Sequence, residues 1–346
     1  MSLVSWNCRG LENFRTVKAL EKVINKEDLV IVFLMETKSS NRDWLNNIKE
    51  KCKMKHGLFV PSEGKSGGLA LLWKEGVTVD VQTYSQTHVD ALVDGGARIG
   101  WWHLTGFYGN PNTVKRPESW AKLKHPKGTS SLPWLTIGDF NEITAASEKE
   151  GGSDRPRQQL KNFVEAINYC GLRDLGFFGP KFTWTYQCAD GLLIRESLDR
   201  AMATPEWINI FPEARLFHLT SSVSDHSPLA LRVVQKRSNK RARKTFRFEA
   251  MRLRDQRCEE VIQKAWEEGK LSSTGSMLRC CLEKCRTRLD AWNKTEFGHV
   301  GRRVVELQKR LEWIELQPSS PEINHEMKQV RVELNYWLEK EADMWR

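Results

Sequence analysis

The chain has 346 residues, of which 40% are hydrophobic and 28% charged, and a formal net charge of +10. This composition is typical of a soluble globular protein, and no apolar run is long enough to span a bilayer. Residues 1–8 predict a strand and not a signal peptide. We therefore expect an intracellular protein, nuclear or cytoplasmic, with no membrane partner. The eight cysteines lack the spacing of a zinc site.

Short apolar runs alternate with amphipathic patterns through residues 1–234. Apolar runs of this length predict strands, whereas a period near 3.6 predicts helices. Predicted strands cover residues 1–8, 29–35, 69–73, 77–81, 88–93, 99–108, 133–137, 182–186 and 228–234. Predicted helices cover residues 14–25, 43–53 and 157–169. Strands mixed with helices at this density predict an α/β fold, a two-sheet sandwich flanked by helices.

The second part of the chain, residues 245–346, is almost free of strand signals. Apolar residues follow a 4-3-4-3 spacing in two stretches separated by the turn-like sequence QPSSP: Val300, Val304, Leu307, Leu311, Ile314, and Ile323, Met327, Val330, Leu334, Trp337. This pattern predicts a helical hairpin at residues 300–345 with two facing apolar seams. We therefore expect a domain at residues 1–235, a basic linker at 236–257 and an α-helical C-terminal extension at 258–346.

The linker carries most of the net charge. Ten Lys and Arg residues against two acidic residues give +8 of the total of +10 in residues 236–257. A basic segment of this kind suits a polyanion such as nucleic acid, with Lys240, Arg241, Arg243 and Lys244 as candidate phosphate contacts. A solvated linker explains the charge equally well.

Several polar residues stand directly after apolar strands. Asn7, Glu36 and Asp139 each end such a run. A carboxylate in this position is costly unless it meets a cation, a donor or a cleft, although each residue taken singly also fits a cap or a surface ion pair. By strand alternation, Asp139 and Asn141 should share one side while Phe140 anchors the turn on the other.

Six such motifs occur in a fixed order: Ser5-Trp6-Asn7, Met35-Glu36-Thr37, Gly106-Phe107-Tyr108-Gly109-Asn110, Gly138-Asp139-Phe140-Asn141, Ser197-Leu198-Asp199-Arg200 and Ser224-Asp225-His226. The set resembles the motifs of the endonuclease/exonuclease/phosphatase superfamily, in order and approximate spacing, across residues 1–234. The resemblance implies that superfamily's α/β sandwich and a metal-dependent phosphodiesterase.

Six longer stretches of sequence narrow the resemblance to one group within the superfamily. The sequences SWNCRGL, FLMETK, SGGLALLW, LPWLTIGDFNE, GLRDLGFFGPKFTW and LDRAMA are similar to the endonucleases of plant LINE-type (non-LTR) retrotransposons. Residues 292–346 resemble the helical linker that leads into a reverse transcriptase, but no polymerase motif is present. The resemblance implies an enzyme that nicks target DNA and leaves a 3′ hydroxyl for priming. DNA is then the partner, element RNA a possible second one, and no small-molecule cofactor is expected.

The resemblance also implies a metal site and its ligands. Mg²⁺ is the expected cation, with Mn²⁺ as a substitute, and Glu36 is the first-choice ligand. Asn7 and Asp225 are secondary ligands. Trp184 is a candidate contact to the nucleic-acid backbone, with a buried aromatic as the equal alternative.

The remaining roles concern protons and the phosphate. By resemblance, Asp199 orients His226, while Asp139 and Asn141 position the attacking water and a phosphate oxygen. Tyr108 donates to the phosphate. The general base is either Asp139 or the His226–Asp199 pair, and the sequence leaves this open.

Two other functions fit the same sequence. An abasic-site repair endonuclease shares the motifs. A catalytically silent retrotransposon remnant would only bind nucleic acid through its basic segment, although every motif residue is intact here.

Overall fold

The computed structural model describes residues 1–64, 67–188, 192–233, 256–271, 277–296, 298–318 and 320–343. The chain forms two compact units, Met1–Lys236 and Arg237–Arg346, each of which is described by itself. Residues 234–255 lie outside the described residues, and with them most of the predicted basic linker, including Lys240, Arg241, Arg243 and Lys244. Within the described ranges, no helix combines the length and the apolar character needed to cross a membrane.

The first unit contains two six-stranded mixed sheets. One consists of β1 (Ser2–Asn7), β2 (Ile31–Met35), β3 (His56–Val60), β4 (Leu69–Trp73), β14 (Arg215–His218) and β15 (Leu229–Arg232), in the order β14-β15-β1-β2-β4-β3. Only the β1–β2 pairing is parallel among its strand pairs. The first strand of the chain thus lies between the second strand and the last.

The other large sheet consists of β5 (Val79–Ser85), β6 (His88–Asp94), β7 (Trp101–Tyr108), β8 (Trp134–Asp139), β10 (Arg173–Asp174) and β13 (Asp199–Ala203), in the order β10-β13-β8-β7-β6-β5. Its parallel pair is β7–β8. A small third sheet has the order β11-β12-β9, with β9 (Lys149–Glu150), β11 (Trp184–Gln187) and β12 (Leu193–Glu196).

Helices cover the outer faces of both large sheets. They are α1 (Phe14–Glu27), α2 (Arg42–Lys51), α3 (Arg116–Thr129), α4 (Arg157–Cys170) and the short α5 (Pro205–Ile210). Side chains alternate along a strand, so β2 buries Phe33 between the two sheets and Leu34 against α1 and α2. This explains the unbroken apolar run at residues 29–35, because both faces of the strand are covered.

The predicted two-sheet sandwich flanked by helices is confirmed, with local differences. Strands predicted at residues 77–81 and 182–186 begin two residues later, at β5 and β11. The helix α3 and the strands β3, β9, β10, β12, β13 and β14 were not predicted. Helix α3 contains Pro126, which removes a backbone donor and obscures the periodic pattern, while β3 lies at a sheet edge with half of its residues exposed to solvent.

The second unit is helical, as predicted, with α6 (Gln256–Leu271), α7 (Met277–Glu296), α8 (Gly298–Glu315) and α9 (Pro321–Asp343). Helices α8 and α9 form the predicted hairpin and bury most of both apolar seams, whereas Ile323 and Trp337 are only half-buried. Arg303 pairs with Glu333 at 2.8 Å across the hairpin. Three of the cysteines, Cys258, Cys281 and Cys285, are buried between or along α6 and α7.

Candidate active site

The predicted polar residues meet where strands from the two large sheets end. Asn7 ends β1 opposite Met35 of the parallel β2. In the other sheet, Asp139 ends β8 opposite Tyr108 of β7 and Asp199 of β13. The Asn7 amide Nδ2 donates to Asp139 Oδ2 at 3.0 Å and so joins the two sheets.

Asp139 is fully buried and is held by amides. Its carboxylate accepts hydrogen bonds from Asn7 Nδ2, from the Asn141 backbone amide at 2.8 Å and from Asn141 Nδ2 at 3.2 Å. Its own backbone amide donates to the Met35 sulfur at 3.3 Å. Burial raises the pKa of Asp139 to about 7, although His226 opposes the shift. The carboxyl is therefore poised to gain or lose a proton near neutrality.

His226 forms the second half of the buried centre. Its Nδ1 lies 2.9 Å from Asp199 Oδ2, and its Nε2 lies 3.8 Å from Asp139 Oδ2 and 3.5 Å from Asn7 Nδ2. Burial lowers the pKa of His226, but the carboxylates of Asp199 and Asp139 outweigh it and raise the pKa to about 9. Asp199 thus fixes the ring and directs Nε2 toward Asp139. We call Asp139, Asp199 and His226 the proton cluster.

The loop that carries His226 is fixed from β1. Trp6 Nε1 donates to the His226 carbonyl at 3.1 Å. The Ser224 hydroxyl donates to the Asn7 carbonyl at 2.8 Å and accepts from the His226 amide at 3.1 Å. Ser224 therefore holds the loop that carries His226 against the end of β1.

Glu36 follows the buried strand β2 in a left-handed backbone conformation, with φ of 50°. Its side chain is nearly buried and accepts a hydrogen bond from the Tyr108 hydroxyl at 2.6 Å. Lys38 Nζ lies 3.2 Å and Arg9 Nε lies 3.9 Å from Glu36 Oε2. In the structure the Tyr108 hydroxyl thus donates to Glu36, whereas the resemblance implies that it donates to a phosphate.

Asp225 shares one of these cations, Arg9, with Glu36. Arg9 Nη2 lies 2.8 Å from Asp225 Oδ2, and Trp184 Nε1 donates to that oxygen at 3.0 Å. Arg9 thus contacts both predicted metal-binding carboxylates. Among the described residues, Asp225 Oδ1 and Asn7 Oδ1 are buried without a hydrogen-bond partner. Such oxygens are costly to bury unless something else coordinates them.

Two groups of side chains could hold a cation. The ligand atoms of the proton cluster lie within 4.8 Å of one another. However, Asp199 Oδ2 is already committed to His226 Nδ1, and all three residues are closed to solvent. Glu36, Asn7 and Asp225 offer only oxygens, two of which are unpartnered. Oxygen donors near solvent fit Mg²⁺ or Mn²⁺, which retain bound water.

Asn141 differs from the expectation of simple strand alternation. The strand β8 ends at Asp139, and Asn141 adopts a left-handed backbone with φ of 54°. Its side chain nevertheless turns back to Asp139 and donates to the Gly109 carbonyl at 2.9 Å. Phe140 anchors the turn as predicted, since its ring lies 4.9 Å from that of Phe107. The two polar residues meet through a sharp turn instead of along a strand.

Gly138 permits this arrangement. A Cβ atom at this position would lie 1.8 Å from the Phe107 carbonyl oxygen, and its φ is 157°. Any side chain would separate β7 from β8 immediately before Asp139.

Trp184 lies at the margin of the site. It is partly buried, its ring centroid lies 6.5 Å from that of His226, and it stacks on Tyr186 at 6.0 Å with an interplanar angle of 5°. Tyr186 is 51% exposed. The Trp184 indole N–H already donates to Asp225. Only the exposed aromatic surface of this pair is therefore left to contact a ligand.

Sequence reasoning did not single out several residues that shape the site. Arg9 and Lys38 pair with the carboxylates, while the Thr183 hydroxyl accepts from the Asp199 amide at 2.9 Å. All three stand within the quoted motifs, Arg9 in SWNCRGL, Lys38 in FLMETK and Thr183 in GLRDLGFFGPKFTW, and that was the available signal. Lys38 pairs with the nearby Glu36, whereas the partners of Arg9 and Thr183 at Asp225 and Asp199 come from other segments of the chain.

A buried ion-pair cluster lies behind Asn141. Its members are Arg116, Glu142, Lys149, Arg155 and Glu196. Glu142 accepts from Arg116 Nη1 at 2.6 Å and from Arg155 Nη1 at 3.1 Å, while Glu196 pairs with Lys149 and Arg155. Arg155 also donates to the Asn141 carbonyl at 3.1 Å. The cluster therefore connects the small sheet to the turn at Asn141.

Solved structures with the same fold come from several organisms. An AP endonuclease from Archaeoglobus fulgidus has 14% identity and a TM-score of 0.50, and the match covers 67% of this chain and 98% of that one. The 3′ phosphatase NExo from Neisseria, with a product DNA hairpin bound, has 16% identity, a TM-score of 0.51 and the same coverage, 67% and 98%. The AP endonuclease LMAP from Leishmania major has 14% identity and a TM-score of 0.51, covering 66% and 86%. At these identities the similarity shows the fold alone.

Sequence comparison supplies the family. No curated protein sequence matches the chain. Residues 4–226 match the Endonuclease/Exonuclease/phosphatase family, a span that begins in β1 and ends at His226. All six motifs lie within or at the edge of this span. The chain belongs to the Endonuclease/Exonuclease/phosphatase family.

Proposed function

We propose that the protein is a metal-dependent phosphodiesterase that nicks DNA. The observation that carries the proposal is the chain of contacts from Asp199 through His226 to Asp139, closed by Asn7 from the other sheet. In this chain His226 is hydrogen-bonded to Asp199 and lies 3.8 Å from Asp139, and such closely spaced titratable groups at the ends of buried strands suit proton transfer to and from a phosphodiester.

The cation would be held by Glu36, Asn7 and Asp225. The unpartnered oxygens of Asn7 and Asp225 are available to it, and the Tyr108 hydroxyl orients Glu36. When bound, Mg²⁺ or Mn²⁺ neutralises charge on the phosphate and stabilises an in-line displacement. Tyr108 would act through Glu36, and its single O–H would donate to the phosphate only when it exchanges its hydrogen bond to Glu36.

The proton cluster supplies acid–base chemistry. Asp139 and Asn141 present a carboxylate and an amide side by side, since Asn141 Nδ2 donates to the carboxylate, and there they would position a water molecule and a phosphate oxygen. His226 presents Nε2 to the same point because Asp199 holds Nδ1. Asp139 and the His226–Asp199 pair remain the two candidates for the general base, and each has the geometry for it.

The finer biological role rests on the resemblance to plant LINE-type endonucleases. In that role the enzyme would nick target DNA and leave a 3′ hydroxyl for priming. The basic segment at residues 236–257 would grip flanking phosphates, and the exposed ring of Tyr186 beside Trp184 would meet the strand. An abasic-site endonuclease is the second candidate, because two of the structures that share the fold are named as AP endonucleases.

A plasmid-nicking assay tests the proposal. The full chain should convert supercoiled plasmid to the open circle with Mg²⁺ or Mn²⁺ and not with EDTA. Glu36→Gln should lose about a hundredfold or more of this rate, because a charged metal ligand is lost. Glu165→Gln, at an exposed carboxylate of α4, is the matched control and should retain the wild-type rate.

The nicking assay distinguishes an enzyme with a different substrate from an inactive protein. Cleavage of an oligonucleotide with an abasic site, with no nicking of intact plasmid, would select the repair-type enzyme. A folded chain that cleaves neither substrate with either cation would contradict the proposed activity and leave a nucleic-acid-binding remnant.

A further inference from the structure

A cation of the protein itself stands at the carboxylates proposed to bind the metal. Arg9 Nη2 lies 2.8 Å from Asp225 Oδ2, and Arg9 Nε lies 3.9 Å from Glu36 Oε2. The side chain of Arg9 is 39% exposed, against 28% for Asp225 and 11% for Glu36. The guanidinium therefore lies on the solvent side of two less exposed carboxylates, where a substrate arrives.

The backbone around Arg9 is held in place. Arg9 has a left-handed conformation with φ of 53°, and Gly10 follows with φ of 119°. The Cys8 amide donates to the Met35 carbonyl at 3.0 Å, and the Leu11 amide donates to the Thr37 carbonyl at 3.0 Å. The loop is thus fastened on both sides to the segment that carries Glu36, so only the side chain of Arg9 is left to change position.

Arg9 and a metal ion would compete, as positive charges, for the same two carboxylates. Glu36 and Asp225 are brought together by β2 and by the loop before β15, and their charges need a shared cation. A divalent cation at these carboxylates carries twice the charge of a guanidinium. Arg9 must then leave Asp225, and its planar array of donors suits a phosphate bidentately.

We propose that Arg9 is a phosphate-binding residue that Asp225 and Glu36 hold in reserve until a divalent cation takes those carboxylates. The inference rests on the proposed function, because it assumes the metal site at Glu36 and Asp225. It adds a coupling: metal binding releases Arg9 for one phosphate of the DNA backbone. By linkage, DNA binding through Arg9 must in turn strengthen metal binding.

Metal binding without DNA tests the competition. Mn²⁺ affinity of the full chain is measured from the electron paramagnetic resonance signal of the free ion. Arg9→Gln should bind Mn²⁺ about fivefold or more tightly, because a competing charge is removed. Arg9→Lys keeps that charge and should stay near wild type. Arg157→Gln, an exposed arginine at the start of α4, is the control for loss of one charge.

DNA binding tests the release. Affinity for a short duplex is measured in a His226→Ala background, which suppresses cleavage, with Mn²⁺ and with EDTA. Arg9→Gln should weaken binding about tenfold with Mn²⁺, reduce the slope of log affinity against log salt by about 0.9, and change binding little in EDTA. In this assay Arg9→Lys should fall between wild type and Arg9→Gln, because it lacks the bidentate geometry.

The outcomes separate the two proposals. If Glu36→Gln does not weaken Mn²⁺ binding, the metal site of the proposed function is wrong. If Glu36→Gln weakens Mn²⁺ binding but Arg9→Gln leaves Mn²⁺ affinity unchanged, the reserve role of Arg9 is overturned and the proposed function stands. An equal loss of DNA affinity in Mn²⁺ and in EDTA overturns the release of Arg9 in the same way.

Discussion

The α/β unit buries two groups of charged side chains that neutralise themselves in opposite ways. The ion-pair cluster sets three cations, Arg116, Lys149 and Arg155, against the carboxylates of Glu142 and Glu196. In the proton cluster, Asp139 and Asp199 share a single imidazole. Within the described part of the chain, no lysine or arginine pairs with either of these two aspartates.

This difference separates structural charge from reactive charge. A buried carboxylate with its own guanidinium has a partner that stays in place, and removal of either partner leaves an uncompensated charge. Burial raises the pKa of Asp139 although His226 and the amide donors of Asn7 and Asn141 oppose the shift, so this carboxylate retains a demand for positive charge or for a proton. Three predictions test whether the two groups differ in this way, and a fourth concerns the separate ion pair of Glu148 with Arg200.

The largest expected effect is on the rate of Asp139→Asn. The amide keeps the shape of the side chain but cannot take a proton, so nicking should fall about a thousandfold or more. Global stability should stay the same or rise, because a carboxyl that resists ionisation is replaced by a neutral group. Single-turnover nicking and urea unfolding measure the two quantities. A stability loss of the size expected for the ion-pair cluster would show that Asp139 is a structural residue.

The next effect concerns His226 and Asp199 as a unit. His226→Ala should lower the nicking rate by about a hundredfold to ten-thousandfold. The double variant with Asp199→Ala should be little slower, because Asp199 acts by holding Nδ1 at 2.9 Å. A double-mutant cycle of single-turnover rates gives the coupling. Losses that simply multiply would mean that the two residues work independently.

A substitution in the ion-pair cluster should lower the stability of the fold more than it lowers the nicking rate. Glu142→Gln leaves Arg116 and Arg155 buried with a weaker acceptor. The free energy of unfolding should therefore fall by about 3 to 5 kcal/mol. The rate per folded molecule should fall far less than in Asp139→Asn. Urea unfolding monitored by tryptophan fluorescence measures the change, with Glu165→Gln as the exposed control. A change below about 1 kcal/mol would place this cluster with weak surface pairs.

The smallest effect is pH-dependent. Burial raises the pKa of Glu148, but Arg200 and the donors of Thr144 outweigh it and lower the pKa below the usual glutamate value. A lowered pKa in the folded state contributes stability that is present above the unfolded pKa and lost as the pH falls through the folded pKa. Glu148→Gln should therefore be less stable than wild type by about 1 kcal/mol at pH 7. The difference should vanish in strong acid, and a pH-independent difference would contradict this origin.

The sequence predicted the sandwich because buried strands leave local marks, and the same marks nominated candidate site residues. Buried strands such as β2 read as unbroken apolar runs, and Glu36 directly after one stands out for its cost. The ordered motifs then indicated which strand ends belong together. The structure brought Asn7, Asp139, Asp199 and His226 into mutual contact, as that order implied.

What could not be predicted depends on pairing between distant segments. Arg155 lies far along the chain from Glu196, so their contact has no local signal. The same holds for Arg9 and Asp225, which are separated by more than 200 residues. The turn at Asn141 was missed for another reason: asparagine adopts a left-handed backbone more readily than most non-glycine residues, but its contacts with Asp139 and Gly109 decide whether it does so here.

Because β15 pairs with β1, the proposed site can be completed only late in the synthesis of the α/β unit. The ladder joins Ser2 to Arg232 and Ser5 to Leu229, so one edge of the first strand stays open until the last strand leaves the ribosome. At about 5 to 20 residues per second, this interval lasts about 10 to 40 seconds. His226 emerges just before that closing strand. The proposed site therefore stays incomplete in the nascent chain until the sheet that covers its first strand has closed.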